Sequence, residues 1–521
     1  MSAGSLSAVP DPIPTRPAHA PGVPLTEVTA LLGERLVAVH GQTKSVDVSG
    51  LTISSRQVRA GDLYAAPAGS LAHGAVYAAQ AVEGGAVAVL TDPAGAEICA
   101  SLPVPSAVPV LVVERPRAVL GALAAHVYGE PAVQLRLMAV TGTQGKTTTT
   151  RLAEGALTTS DVPAAVIGTV GTRVNGTEVA SLLTTPEAPD LHALFAVMVE
   201  QGVQACAMEV SSHALVMGRV DGVVFDVACF TNLGRDHLDF HPDQEAYFAA
   251  KASLFTTARA RLAVVNIDDG HGRRLAAEAR IPVRTYSVGD AQADWWADRV
   301  ATQAGGSTFT LHTPAGASFD AAVPLTGDFN VSNALCAIAA LTELGYDART
   351  VAAGLAASGG VPGRLERVDA GQQFLAIVDY AHKPDAVQAA LSALRPQTAG
   401  RLLVVIGAGG ERDPGKRPLM GEIASRLADV VVVTDDNPRG EDPAAIRAAI
   451  LAGAEQVPAA GRAELHEVGS RRRAIRLAVS LAGPGDVLVV AGKGHEKGQE
   501  VRRTVQPFDD REVLREELAA R

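Results

Sequence analysis

Cysteine is scarce: Cys99, Cys206, Cys229 and Cys336 are the only four in 521 residues, and they stand far apart with no CxxC spacing. That argues against a disulfide framework and a structural zinc site, and the thiols are expected to be reduced and mostly buried. Aromatic residues are 4% of the chain, too few for a platform that stacks bases. Basic charge is not in excess either, since 45 Lys and Arg face 56 Asp and Glu, and a net charge of −11 leaves no global footprint for nucleic acid. No apolar run approaches the ~20 residues that span a bilayer, and the opening stretch has neither a basic start nor an apolar h-region. A cytoplasmic protein is the expectation. Apolar residues, by contrast, reach 47%, with 51 Gly and 30 Pro, which suits buried cores joined by many short loops that close over ligands.

A prior of roughly 150 residues per domain gives three or four units. Residues 1–24 read as a disordered or loosely attached leader, because the prolines of PDPIPTRPAHAPGVP prevent regular pairing. A first α/β domain, 25–133, follows from LTISSRQVRAGDLYAA, AHGAVYAAQAVEGGA and the β-branched AVAVLTD. A second, 134–360, opens with LRLMAV, TGTQGKTTTT and RLAEGALTTS, which spell strand, glycine loop and helix. Its further strands VQACAMEV, VVFDVACF and ARLAVVNI end in polar residues, as where parallel strands present chemistry at their carboxyl ends. GDFNVSNALCAIAALTELG predicts an Ala-rich helix. The third unit, 361–521, has FLAIVDYA, RLLVVIGAGG, DVVVVTDDNPR and DVLVVAGKGHE as strands of another open α/β sheet.

The glycine loop carries the strongest chemical signal. Gly142 and Gly145 let backbone amides approach phosphate, the following helix offers its positive end, Lys146 adds a cation and Thr147 is placed for Mg²⁺. Val140 stands where the generic GxxxxGK[ST] pattern wants glycine, so only the second half of that template is met. Glu209, followed by Ser211, Ser212 and His213, closes a strand where ligands gather, although one such carboxylate is as readily a salt-bridge partner. Asp236, His237, Asp239 and His241 form a polar cluster suited to a cation, with loop capping as the bland alternative for any one of them. Lys251 precedes an apolar turn, ordinarily the setting of a surface charge.

In this order TGTQGKTT, TTPEAPD, MEVSSHAL, TNLGRDHLDFH, KASLF, GDFNVSNALCA, GRLE, VDYAHKPDAV, GAGGERDPGKRP, TDDNPRGEDP and AGKGHE extend over nearly the whole chain after about residue 50. The series resembles the Mur ligases, ATP-dependent amide-forming enzymes of cell-wall precursor synthesis, and within them the branch that adds the third amino acid. The resemblance implies three domains: an N-terminal UDP-substrate domain, a central P-loop doubly wound ATPase domain and a C-terminal Rossmann-like domain. It implies a monomer with small-molecule substrates, ATP, meso-2,6-diaminopimelate and UDP-N-acetylmuramoyl-L-alanyl-D-glutamate, and a role in peptidoglycan assembly and hence cell shape and division.

Site residues carry over motif by motif. Gly142, Thr143, Gln144, Gly145, Lys146, Thr147 and Thr148, with Asn330, Asn333, Arg364, Asp379 and His382, are implied to bind ATP. Thr147, Glu209, His237 and a carbamylated Lys251 are implied to hold Mg²⁺, with Lys146, Glu209, His237 and Lys251 the catalytic group. Ser55, Ser70, Leu71, Ala72, Thr184, Thr185, Ser211 and Arg219 match UDP-substrate positions. Three departures stand out: Ser54 where Asp is common, Gln144 where Asn is usual, and Met217 where some members have Gln. Arg412, Asp436, Asn437, Pro438, Arg439, Gly492 and Glu496 match the diaminopimelate pocket. There Asn-Pro enforces the turn that aims Arg439, a guanidinium fork for the distal carboxylate that lysine lacks, and Glu496 would face the distal amine. A lysine-adding or folate-type ligase and a noncatalytic nucleotide switch are the competing classes.

Overall fold

The computed structural model describes residues 13–69, 71–105, 107–181, 183–303 and 305–521. Three sheets organise the chain. The first has five strands in the order Leu36–His40, Val110–Val113, Ala88–Thr91, Asp62–Ala66, Gly50–Thr52, all parallel except the Leu36 edge. Ser70 lies outside the described residues.

The second sheet has eleven strands. At its middle the strand Arg136–Thr141 lies between Ala205–Glu209 and Phe225–Phe230, parallel to both. Such strands are buried on both faces, which is why they read as continuous apolar runs; Ala205 to Glu209 are all buried, the glutamate included. Parallel pairing continues through Ala260–Asn266 and Val283–Val288 to Trp295–Gln303. Beyond it the sheet turns antiparallel through Gly306–His312 and Ser318–Val323, an extension that the sequence reading did not anticipate. The third sheet orders Glu366–Arg367, Leu375–Asp379, Val487–Ala491, Leu402–Ile406, Val430–Val433 and Glu464–Glu467. Its four inner strands are the four expected; the short edges escaped notice because two to four half-exposed residues carry no apolar run.

Two helices bring the nucleotide loop into place. Lys146–Thr159 begins with Thr147, Thr148, Thr149 and Thr150, poor helix formers, yet all four are buried and Thr150 Oγ1 donates back to Thr147 O at 3.2 Å. Tertiary packing outweighs propensity here. Asp328–Glu343 buries eleven side chains along its length and packs against the Lys146 helix in one core.

The leader expectation is corrected for residues 13–24. Arg16 Nη1 pairs with both oxygens of buried Asp62 at 2.7 Å, and Ala18 N and His19 N donate to Glu200 at 2.9 Å. Ile13 packs against the core of the second sheet. Proline richness excludes helix pairing but not docking through one buried arginine and free amides. The four cysteines are free and buried, as expected.

Candidate active site

The loop after Thr141 crosses from strand to helix with Gly142 at φ 149° and Gly145 at φ 86°, backbone that only glycine adopts without strain. A Cβ on Gly145 would stand 2.4 Å from Asn333 Oδ1. Gly145 caps the Lys146 helix and no side chain satisfies the first-turn amides, which leaves an anion site at the positive helix end. Asn232 fastens the loop, its O accepting from Thr143 N and its Oδ1 from Gln144 N, both at 2.9 Å. The departure at Gln144 is thus accommodated through backbone atoms.

Lys146 Nζ folds back on the loop, donating to Gly142 O at 2.8 Å and Thr143 O at 3.1 Å. Burial pulls its pKa down to about 8 against the opposing attraction of Glu209. Lys251, 1% exposed, is not the surface charge that its local sequence suggests. Its Nζ donates to the same Gly142 O at 2.8 Å and lies 4.5 Å from the Tyr247 ring centroid. Burial, reinforced by the Lys146 ammonium, holds Lys251 well below the usual lysine range.

Glu209 is 1% exposed; its Oε1 accepts from Thr147 Oγ1 at 2.9 Å and Thr169 N at 2.7 Å, and its Oε2 from Thr169 Oγ1 at 3.1 Å. A threonine hydroxyl beside a carboxylate is the hard-oxygen pair that Mg²⁺ prefers when phosphates and water complete its shell. Among the described residues no three His, Cys, Asp or Glu are grouped to hold a metal unaided. The set expected from sequence, Thr147, Glu209, His237 and Lys251, has only two residues of those types, and all four line the cleft described below. His237, at φ 54°, faces Asp236 Oδ2 at 3.2 Å. Burial keeps His237 near 4, against Asp236, and so neutral at pH 7. Of its companions, His241 is engaged with Ser212 Oγ at 2.9 Å and Asp239 is exposed.

The third sheet closes this site from the other side. Arg364 Nη2 donates to Thr147 Oγ1 at 3.2 Å and its guanidinium lies 4.4 Å from the Tyr380 centroid. Lys383 pairs with Asp236, and His495 Nε2 lies 3.1 Å from Thr169 O. Asp379 accepts Leu365 N and Ala381 N at 2.8 Å each; burial raises its carboxyl despite Arg364. His382 Nδ1 donates to Tyr380 O at 2.8 Å, and burial takes it down to about 3. Asn330 and Asn333 are linked at 3.2 Å on the Asp328 helix. All of these residues from Arg364 to Asn333 except His495, together with Thr143 to Lys146 of the loop, Glu209, His237 and Lys251, line one cleft of ≈ 690 Å³.

Thr184 and Ser211 also reach the cleft. Thr185 Oγ1 donates to Glu209 O at 2.9 Å, while Arg219 is paired with Glu187 at 3.0 Å and touches Met217 Sδ at 3.5 Å. Ser55 Oγ donates to Gln80 at 3.0 Å, Ala72 O accepts from Gly69 N at 3.2 Å, and Leu71 is fully exposed, all on the first sheet's domain and not on the cleft.

At the far end, the turn after Val430–Val433 meets the turn after Val487–Ala491. Pro438 is buried, and Arg439, at φ 53°, donates through Nη1 to Gly410 O at 2.6 Å and through Nε faces Glu500 at 3.3 Å. A Cβ on Gly409 would lie 3.1 Å from Arg439 Nη1 and 4.0 Å from Arg412 Cγ, so two guanidinium-bearing chains flank that glycine. Gly492, at φ 124°, passes so near Asp436 that a Cβ would stand 2.5 Å from Oδ2. Asn437 Nδ2 donates to Glu496 Oε2 at 2.9 Å. Sequence reasoning missed Lys383 and Lys493, both inside quoted motifs; a lysine in a loop gives no local sign that it is enclosed.

A glycine loop at a helix end, faced by a second α/β domain, fits a nucleotide-using enzyme that works in an interdomain cleft. Three family models match: "Mur ligase family, catalytic domain" over residues 47–128, "Mur ligase middle domain" over 140–341 and "Mur ligase, glutamate ligase domain" over 363–494. A Streptomyces coelicolor protein named UDP-N-acetylmuramoyl-L-alanyl-D-glutamate--2,6-diaminopimelate ligase is 53% identical over 97% of this chain and 98% of its own. A Corynebacterium glutamicum protein of the same name is 47% identical over 96% and 94%. A solved structure of a ligase so named superposes with TM-score 0.67 at 32% identity over 96% of this chain and 99% of its own. The chain belongs to the Mur ligase family and is an ATP-dependent amide ligase.

Proposed function

We propose that the chain joins meso-2,6-diaminopimelate to UDP-N-acetylmuramoyl-L-alanyl-D-glutamate with cleavage of ATP to ADP and phosphate, in cytoplasmic peptidoglycan precursor synthesis. A carboxylate oxygen is a poor leaving group. The D-glutamate side-chain carboxylate therefore attacks the γ-phosphorus, the bond to ADP breaks, and an acyl phosphate forms. The amine of diaminopimelate then adds to the acyl carbon, the C–O bond to phosphate breaks, and the nitrogen gives up its proton.

The first-turn amides of the Lys146 helix and Lys146 itself receive the phosphates. Thr147, Glu209, His237 and carbamylated Lys251 would hold Mg²⁺, which supplies positive charge to the transferring group. Carbamylation has a physical motive: a neutral Lys251 nitrogen adds to the carbon of CO2 and loses a proton, replacing a cation crowded against Lys146 with an anion. Asn330, Asn333, Arg364, Asp379 and His382 complete the ATP contacts, and closure of the third domain keeps water from the acyl phosphate. Thr184, Thr185, Ser211 and Arg219 hold the dipeptide, and Ser55 with the Leu71–Ala72 turn the uridine end. Arg412 and Arg439 take the distal carboxylate, with Asp436, Asn437, Pro438, Gly492 and Glu496 around the distal amine.

The observation that carries this reading is the contact of Arg364 with Thr147, which brings the third domain against the phosphate loop of the second. Phosphate release with ATP, Mg²⁺ and the UDP-dipeptide tests it. Release should require diaminopimelate and respond weakly to lysine, and ¹⁸O from the labelled D-glutamate carboxylate should appear in the phosphate. Release indifferent to both amino acids would refute the ligase assignment, and preference for lysine would refute the specificity.

A further inference from the structure

Lys493, in the AGKGHE turn, has no part in the mechanism above, yet its side chain is 0% exposed. Nζ donates to Asn437 Oδ1 at 2.9 Å and to Glu496 Oε2 at 3.0 Å, with Asp436 Oδ1 3.8 Å away. Asn437 Nδ2 closes the ring on that same Glu496 oxygen at 2.9 Å. Glu500 N donates to Asn437 Oδ1 at 3.0 Å and so tethers the amide from outside. Glu496 Oε1 accepts no hydrogen bond among the described residues, and the Glu496 side chain is 32% exposed.

A buried ammonium is costly unless carboxylates and hydrogen bonds compensate it, and two carboxylates do so here. With the nearby Arg471 paired to Asp510 at 2.6 Å, the two carboxylates against one ammonium leave a negative charge in excess at the turn, a match for one arriving ammonium. Position matters as much as charge. A carboxylate with both oxygens free turns about its last bond, whereas one oxygen pinned by an ammonium and an amide fixes where the other is offered.

We propose that Lys493 is a positioning residue for the amino-acid substrate, holding Asn437 and Glu496 in one arrangement so that the open Glu496 oxygen receives a substrate ammonium. This rests on the amino-acid pocket described under the proposed function.

Steady-state kinetics of the full chain, varying ATP, UDP-dipeptide and diaminopimelate in turn, tests the role. Lys493→Met should raise KM for diaminopimelate by about tenfold or more, the effect of losing a charged hydrogen-bond partner. KM for ATP and for the UDP-dipeptide should stay within about twofold. Lys493→Arg should reverse most of that rise in KM for diaminopimelate. Lys493→Gln, which keeps a donor without the charge, carries the same expectation as Lys493→Met where that variant does not fold. An unchanged amino-acid KM, or three KM values rising together, would overturn the proposal. Wild-type protein that releases no phosphate in response to diaminopimelate would sink the functional reading itself; a responsive wild type beside an unaltered variant sinks only the role of Lys493.

Discussion

Lys146 and Lys251 donate to one acceptor, the carbonyl of Gly142, each at 2.8 Å. Two ammonium groups on one neutral oxygen repel each other in a place where little water can screen them. Burial lowers the pKa of both, Lys146 to about 8 and Lys251 well below the usual lysine range. The arrangement is eased when Lys251 sheds its proton, and eased further when it becomes an anion.

Carbamylation of Lys251 should thus be detectable as a ¹³C carbamate resonance in protein equilibrated with ¹³C-bicarbonate, absent from Lys251→Ala. That variant should lose ligase turnover by about two orders of magnitude or more, typical of losing charge stabilisation at a transferring group. Short carboxylates should restore part of it. A variant that bicarbonate and carboxylates both leave inactive would count against the modification.

ATP binding should draw in a proton at mildly alkaline pH. The Lys146 ammonium, ordinarily at 10.5, stands at about 8 in the folded chain. Between those values the unfolded chain holds the extra proton, so this group makes stability rise with pH from about 8 to 10.5 and disfavours the fold below 8. Bound phosphates favour the charged amine and pull its pKa back up. Calorimetry at pH 8.5 in buffers of differing ionisation enthalpy should show net proton uptake that Lys146→Met lacks.

Arg439→Ala and Lys146→Ala should separate the two halves of the reaction. Loss of the guanidinium should weaken use of diaminopimelate by about 2–5 kcal/mol, well over tenfold, and leave ATP binding intact. Lys146→Ala should abolish turnover with either amino acid. Equal losses of ATP and diaminopimelate binding in Arg439→Ala would undo the pocket assignment.

Asp236 links the second domain to Lys383 of the third. Burial alone would raise its carboxyl, but Lys383 and His237 outweigh that and hold it at about 2. A depressed carboxyl contributes stability above its unfolded value near 3.8 and loses it as pH falls toward 2, so interdomain closure should weaken in that window. Asp236→Asn should open the ligand-free protein at pH 7, read as a larger radius of gyration by small-angle scattering. An identical radius would show that the pair does not hold the domains.

Gly145→Ala should impair the nucleotide loop. Alanine at φ 86° carries a penalty of about 1–2 kcal/mol, and its Cβ would press on Asn333 Oδ1 at 2.4 Å. The expected result is a lower Tm and a raised KM for ATP, while KM for diaminopimelate holds.

The strand, glycine loop and helix around Lys146, and the inner strands such as Val430–Val433, were legible in the sequence because a doubly buried parallel strand and a phosphate loop are each written in consecutive residues. The order of the motifs further pointed to the family, and residues named from them, Lys146, Glu209 and Arg364 among them, line the cleft. Burial of charge was not legible. Lys251 and Lys493 look like surface lysines, and Arg16 like part of a loose proline-rich leader, until Gly142, Glu496 and Asp62 are brought to them from 109, 3 and 46 positions away. Even the short-range pair needs the turn at Gly492 and the distant Asn437 to enclose it. Local pattern sets which segments form strands and helices; whether a cation is solvated or shut in depends on what other segments pack over it, and that is settled only when the sheets assemble.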